Sequence, residues 1–287
     1  MSALPTPLVS TAWLADHLDD PDLRLLEATV FLAPPATPGE DWSVAPGTEA
    51  YAAEHLPGAR FADLVGELSV PNTRFERPDA ATFAAAAERL GVGEGTRVVV
   101  YDRAGTIWAA RVWWLLRSFG FDAVAVLDGG FERWKAEGRP TTADVPAAAP
   151  AARFTARDRP ELVADRDQVL AVVGQGGACL INALGAEDFT ATETDRYPRP
   201  GRIPGSLNVP AGSLLGDDGR VLPADALRDR FAAVLARPGR KIAYCGGGIA
   251  ATADALALAV IGEDDVAVYD ASLAEWTADP ALPLEVG

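Results

Sequence analysis

The chain has 287 residues, about half of them apolar, with a formal net charge of −16 and a pI near 4.5. That length suits two domains with their own cores, and the acidic balance argues against nucleic acid or an anionic membrane as partner, since both need a basic face. No basic stretch followed by an apolar one opens the sequence and no apolar run nears the ~20 residues of a membrane span, so a cytoplasmic location is expected.

In chain order, "PATPGEDWSVAPGTE" (Pro35–Glu49) reads as a long polar loop of the kind that often has a binding role. "EHLPGARFADL" (Glu54–Leu64) contains His55, one of only two histidines, before a Pro-Gly turn. "DAATFAAAAERLG" has apolar residues at three- and four-residue spacing and a terminal glycine, which predicts a helix. "GVGEGT" lacks the spacing of a dinucleotide-binding loop and precedes a strand instead of following one. The run "RVVVY" is continuous and apolar, as a buried parallel strand should be, and Asp102 follows it. "WAARVWWLLRSFG" predicts a second helix, "VAVL" a further strand, and Trp113, Trp114 and Trp134 fall on core faces.

"TTADVPAAAPAARFTARD" (Thr141–Asp158) is Pro- and Ala-rich and suits a linker. Beyond it, Cys179 lies inside the apolar strand "GACLINAL" and reads as a core cysteine. "TDRYPRPGRIPG" supplies Arg196, Arg199 and Arg202, which are either solvated loop cations or ligand contacts. "KIAY" and "VAVY" are predicted strands, and Trp276 a core residue.

Between those two strands stands "YCGGGIAATADALA" (Tyr244–Ala257). A cysteine at the carboxyl end of a parallel strand is where α/β sheets bind ligands. Three glycines let successive N–H groups turn inward around one point, and the start of a helix favours negative charge there. The expected arrangement is a nucleophilic Cys245 thiolate in a substrate-binding ring of Gly246, Gly247, Gly248, Ile249 and Ala250. The bland alternative makes Cys245 a small buried hydrophobe and the glycines a packing device. A cysteine phosphatase would need an arginine six positions on; Ala251 stands there, with no Arg or Lys from Cys245 to Val260.

Three segments recur in the same order at offsets of about 142 to 147 residues. "EHLPGARFADL" is echoed by "GRIPGSLNVPAGSL", "TRVVVYDRAG" by "RKIAYCGGGI", and "DAVAVLDGGFERW" by "DDVAVYDASLAEW". The chain is therefore a duplication. Strand–helix alternation makes each copy an α/β unit, a parallel sheet flanked by helices on both faces.

These motifs together resemble the tandem-domain rhodaneses, the sulfurtransferase family that includes thiosulfate and 3-mercaptopyruvate sulfurtransferases. The resemblance implies an N-terminal rhodanese-like domain over 1–143, degenerate because Asp102 takes the place of the catalytic cysteine, a linker over 144–158, and a catalytic domain over 159–287. It implies sulfane sulfur transfer from thiosulfate or 3-mercaptopyruvate through a Cys245 persulfide to a thiol, cyanide or sulfur-carrier protein, with no metal or organic cofactor. Two departures stand out. The loop has neither the cations of thiosulfate-type members nor the hydroxyls of mercaptopyruvate-type members. Of the two arginines that grip the donor carboxylate in the latter, Arg196 matches one, while the other falls near Asp188, of opposite charge. The missing groups keep a second reading open, a non-catalytic module that binds an anion or a persulfide and reports sulfur status. His55 matches the family's histidine before Pro-Gly, where bracing the turn is the expected role.

Overall fold

A computed structural model describes residues 4, 7–34, 42–73, 75–194 and 196–287. They fall into two compact units. The first holds the described residues up to Leu32, Val44–Arg159 and Gly216–Val221. The second holds Pro160–Leu215 and Leu222–Gly287, with the described residues between Ala33 and Ser43.

In the first unit, β1 (Leu8–Val9), β2 (Leu23–Glu27), β5 (Arg60–Phe61), β6 (Arg97–Tyr101) and β7 (Val124–Leu127) form a parallel sheet in the order β1-β7-β6-β2-β5. Its helices are α1 (Thr11–His17), α2 (Thr48–Ala53), α3 (Ala80–Arg89), α4 (Ile107–Ser118) and α5 (Gly130–Ala136). Successive strand residues point to opposite faces, and both faces are buried, which is why these strands read as unbroken apolar runs. Leu25, Val99, Tyr101 and Leu127 enter a core completed by Leu14 of α1 and by Phe131 and Trp134 of α5. On the other face, Val98, Val100, Val124 and Val126 are buried, α4 covers β6 and β7, and Phe83 of α3 stacks on Phe119.

The second unit repeats this plan. Its strands are β8 (Val163–Ala164), β9 (Ala178–Asn182), β10 (Leu207–Asn208), β11 (Arg240–Tyr244) and β12 (Val266–Tyr269), in the equivalent order β8-β12-β11-β9-β10. Helices α6 (Arg166–Gln175) and α11 (Ser272–Trp276) pack on one face, while α10 (Ala250–Val260) lies over β11 and β12 on the other. Short helices α7 (Ala186–Thr190), α8 (Ala224–Arg230) and α9 (Ala232–Leu235) complete it. The duplication extends to single hydrogen bonds. Leu56 N–H donates to the Tyr101 hydroxyl and Ile203 N–H to that of Tyr244, both at 3.1 Å. The indole N–H groups of Trp134 and Trp276 donate to the carbonyls of Pro140 and Pro283, both at 2.8 Å. Trp113, Trp114, Trp134 and Trp276 are buried, as their spacing required.

The expected polar loop Pro35–Glu49 needs correction. Residues 35–41 lie outside the described residues, but Ser43–Pro46 (β4) pairs with Val30–Ala33 (β3) in a separate two-stranded sheet, and α2 begins at Thr48. Phe31, Leu32 and Val44 of this sheet are exposed, so no buried apolar period marked it. The Pro- and Ala-rich segment has no regular element between residues 143 and 159, yet it is strapped to the first unit. Glu94 N–H donates to the Arg153 carbonyl, Phe154 N–H to Glu88, and Phe154 itself is buried.

Candidate functional site

Strand β11 ends at Tyr244, and α10 begins at Ala250, so the five residues Cys245, Gly246, Gly247, Gly248 and Ile249 make the whole turn. Gly248 takes a φ of +74°, in the left-handed region where a side chain would be strained. Cys245 is buried, 2% exposed, and in no disulfide. Its backbone is held from α11: Cys245 N–H donates to Ser272 Oγ (3.1 Å), and the Leu273 and Ala274 N–H groups donate to the carbonyls of Cys245 and Gly246. The Ser272 hydroxyl in turn donates to the Tyr269 carbonyl (2.7 Å), and Ser272 itself sits at a φ of +53°. Within the loop, the N–H groups of Gly247 and Ile249 have no acceptor among the described residues.

The equivalent loop of the first unit shows what such a turn accommodates. Asp102 is the residue after β6, and its carboxylate accepts four backbone hydrogen bonds. Oδ1 receives Ala104 (2.8 Å) and Thr106 (3.0 Å); Oδ2 receives Trp108 (2.9 Å) and Ala109 (2.8 Å). Burial pushes this carboxyl above its usual range, and the four N–H groups pull the other way by favouring the charged form. Counted from Cys245, the same offsets fall on Gly247, Ile249, Ala251 and Thr252. Thr252 N–H already donates to the Ile249 carbonyl, which leaves Gly247, Ile249 and Ala251 as the candidate ring. A negative sulfur just beyond Cys245 would meet the kind of donor set that holds Asp102.

The arginines have partners of their own. Arg196 places Nη1 between both carboxylate oxygens of Asp188 (3.0 and 2.9 Å) and lies over the Trp42 ring. Arg199 donates to the carbonyls of Trp276, Thr277, Asp279 and Leu282, clasping the end of α11. Arg202 donates to Glu285 and to the Phe189 and Gly287 carbonyls. His55 lies in the first unit, stacked on Tyr51, with Nδ1 2.7 Å from the Tyr51 carbonyl and its backbone bridged to Thr142. Cys179 is buried within β9, and burial pushes its thiol up, away from the reactive thiolate.

Two residues near the loop escaped the sequence reading. Ser272 occupies the position that Gly130, also at positive φ, holds in the first unit, so the repeat itself carried a signal. Tyr197 carried none. Its hydroxyl lies against Gly246, where a Cβ would come within 2.2 Å of the oxygen. Among the described residues no group of three or more His, Cys, Asp or Glu side chains could hold a metal ion, and no helix is long and apolar enough to cross a membrane.

Comparison with known proteins agrees with this geometry. The family model for the rhodanese-like domain matches residues 10–137 and 188–279. The chain is 34% identical over 288 residues to a probable 3-mercaptopyruvate sulfurtransferase of Pseudomonas aeruginosa, covering 98% of each. It is 34% identical over 285 residues to the thiosulfate sulfurtransferase of Gallus gallus, covering 96% of this chain and 94% of that one. Among solved structures, the 3-mercaptopyruvate sulfotransferase SseA of Escherichia coli superposes with a TM-score of 0.79 at 31% identity, covering 93% of this chain and 98% of that one.

Proposed function

The chain belongs to the rhodanese-like family and is a sulfurtransferase, and from that premise we propose that Cys245 carries the transferred sulfur as a persulfide. The Cys245 thiolate attacks the outer sulfur of the donor. With thiosulfate the S–S bond breaks and sulfite leaves with the electron pair. With 3-mercaptopyruvate the C–S bond breaks, and the carbon takes the pair and then a proton to give pyruvate. In both cases the persulfide waits on Cys245 until a nucleophilic acceptor (cyanide, a thiol or a sulfur-carrier protein) attacks its outer sulfur and releases the thiolate, a ping-pong scheme. A cytoplasmic location suits this chemistry, since thiols there stay reduced.

The observation that carries the reading is the Asp102 carboxylate in its four N–H groups. The Cys245 loop repeats that turn with a sulfur in place of the acid, and donors fixed in a buried site stabilise a charge without reorganising. Gly247, Ile249 and Ala251 are the groups that would hold the outer sulfur. Arg196, paired with Asp188, has a weakened attraction for the donor, which leaves most of the anion binding to backbone amides.

The test is intact-protein mass after incubation with thiosulfate and, separately, with 3-mercaptopyruvate, followed by peptide mapping. One added sulfur on Cys245, lost on adding cyanide, is expected; Cys245→Ser should abolish the gain and Cys179→Ser should leave it. Tight binding of a donor with no sulfur added to Cys245 would replace this reading with the anion-binding module.

A further inference from the structure

The second unit's loop offers a substrate no side-chain hydroxyl or charge: from Gly246 to Ala251 every residue is glycine, alanine or isoleucine. Two hydroxyls that flank it are turned to the backbone, Thr252 to the Ile249 carbonyl (2.7 Å) and Ser272 to that of Tyr269 (2.7 Å). A polar group reaches the loop from elsewhere in the unit. The Tyr197 hydroxyl lies beside Gly246, the residue next to Cys245, so closely that a Cβ there would stand 2.2 Å from Oη and 3.3 Å from Cζ. The bareness of Gly246 and the placement of this hydroxyl are therefore one feature. In the first unit the position of Gly246 is taken by Arg103, whose guanidinium turns inward to Glu27.

The Tyr197 ring is held. It packs against the core cluster containing Ile203, Tyr244 and Trp276. On either side of it in sequence, Arg196 is fixed by Asp188 and Trp42, and Arg199 by the carbonyls at the end of α11. A hydroxyl fixed in this way loses little freedom when it binds a ligand, and because a phenol both donates and accepts, it can serve protein and ligand together.

We propose that Tyr197 is a donor-binding residue of the sulfurtransferase site: its hydroxyl donates a hydrogen bond to the anionic group of the sulfur donor, the sulfonate oxygens of thiosulfate or the carboxylate of 3-mercaptopyruvate. The proposal rests on the Cys245 persulfide reading above. It assigns the side-chain contact that the loop itself lacks, and it makes the donor half-reaction, not the acceptor half-reaction, the step that depends on Tyr197.

Separate half-reactions test it. Persulfide formation on Cys245 is followed by mass spectrometry across a range of donor concentrations, and discharge of preformed persulfide by cyanide is followed in parallel. Tyr197→Phe keeps the ring, and loss of one hydrogen bond to a charged group should raise the half-saturating donor concentration by about tenfold, with the discharge rate unchanged. Gly246→Ala should slow persulfide formation, and the double variant Gly246→Ala/Tyr197→Phe should recover much of it, because the colliding oxygen is gone. A Tyr197→Phe protein with unchanged half-saturation, or a double variant no better than Gly246→Ala, would overturn the assignment. If the unaltered protein gains no sulfur from either donor, the persulfide reading falls and the Tyr197 role with it. If it gains sulfur normally and Tyr197→Phe matches it, only the Tyr197 role falls.

Discussion

Asp102 and Cys245 stand at one position of a duplicated unit, each the first residue after a central-strand tyrosine whose hydroxyl accepts the N–H of the residue before a Pro-Gly turn. One copy closes its loop with a carboxylate and the other leaves a sulfur there. Asp102 is thus an internal reference for what the Cys245 turn, the proposed sulfur carrier, could bind.

Asp102→Ala leaves four N–H groups in a buried loop without their acceptor, and each unpaired buried donor is costly. A loss of at least about 3 kcal/mol in unfolding free energy is expected by urea titration, with Asp102→Asn intermediate because one acceptor oxygen remains. Cys245→Asp should fold with near-normal stability, its carboxylate taking the donors of the second loop, while carrying no sulfur. A Cys245→Asp protein much less stable than Cys245→Ser would show that the two loops are not equivalent.

Ser272 tests the support behind Cys245, the proposed nucleophile. Its positive φ is a conformation glycine adopts freely, and Gly130 does so in the first unit. The serine is strained there, yet it supplies the hydroxyl that meets Cys245 N–H. Ser272→Ala keeps the strain and loses the bond, so about 1–2 kcal/mol of stability should go. Ser272→Gly loses the bond but relieves the backbone, and should be the more stable of the two. Both should slow persulfide formation, since neither has a hydroxyl to accept the Cys245 N–H. Thermal melts with single-turnover rates separate the two effects.

Much of this was legible in the sequence because the strands are buried on both faces and so appear as unbroken apolar runs, and because a cysteine before three glycines at a strand end has few physical uses. The covered parallel sheets followed from the strands, the duplication from three segments echoed in order, and the buried tryptophans from their helical faces. What stayed hidden depends on partners without a sequence signature. Arg199 clasps four backbone carbonyls, and carbonyls are everywhere. Tyr197 meets Gly246 across a long sequence separation through a contact that exists only because a side chain is missing. The β3–β4 sheet went unseen because, apart from the buried Val30, its large apolar residues Phe31, Leu32 and Val44 are exposed.

Asp254 gives a pH prediction. It lies fully buried in α10, and both carboxyl oxygens lack a partner among the described residues. Burial alone pushes its carboxyl well above the usual range. Below the unfolded value near 4 the group is protonated in both states and costs no ionisation. As pH rises the unfolded chain loses the proton first, so stability falls until the folded-state value is passed. Asp254→Asn removes that slope. The variant and the unaltered protein should match near pH 4, with the variant gaining steadily towards pH 8. A difference that does not change with pH would mean that Asp254 ionises alike in both states.

If donors bind at the proposed Cys245 site, the ion pair of Asp188 with Arg196 should bear on which of them are accepted. Where relatives of the mercaptopyruvate type are expected to grip the donor with two cations, this chain sets an acid against its one matching arginine (Nη1 to Oδ2, 2.9 Å). Both side chains are about a third exposed, so the pair is screened and adds little to stability. Its effect should fall on the field at the site. Asp188→Asn removes the opposing charge and keeps the shape, and should lower the half-saturating concentration of thiosulfate and of 3-mercaptopyruvate by a factor of about 3 to 10 at low salt. The gain should shrink as ionic strength rises, because the Debye length falls to about 10 Å at 0.1 M salt. Arg196→Gln should act in the opposite sense but weakly, as Asp188 already compensates the charge it removes. If Asp188→Asn changed nothing while Arg196→Gln abolished donor turnover, Arg196 would have to touch the donor directly despite its partner, and the backbone amides would no longer be the main anion site.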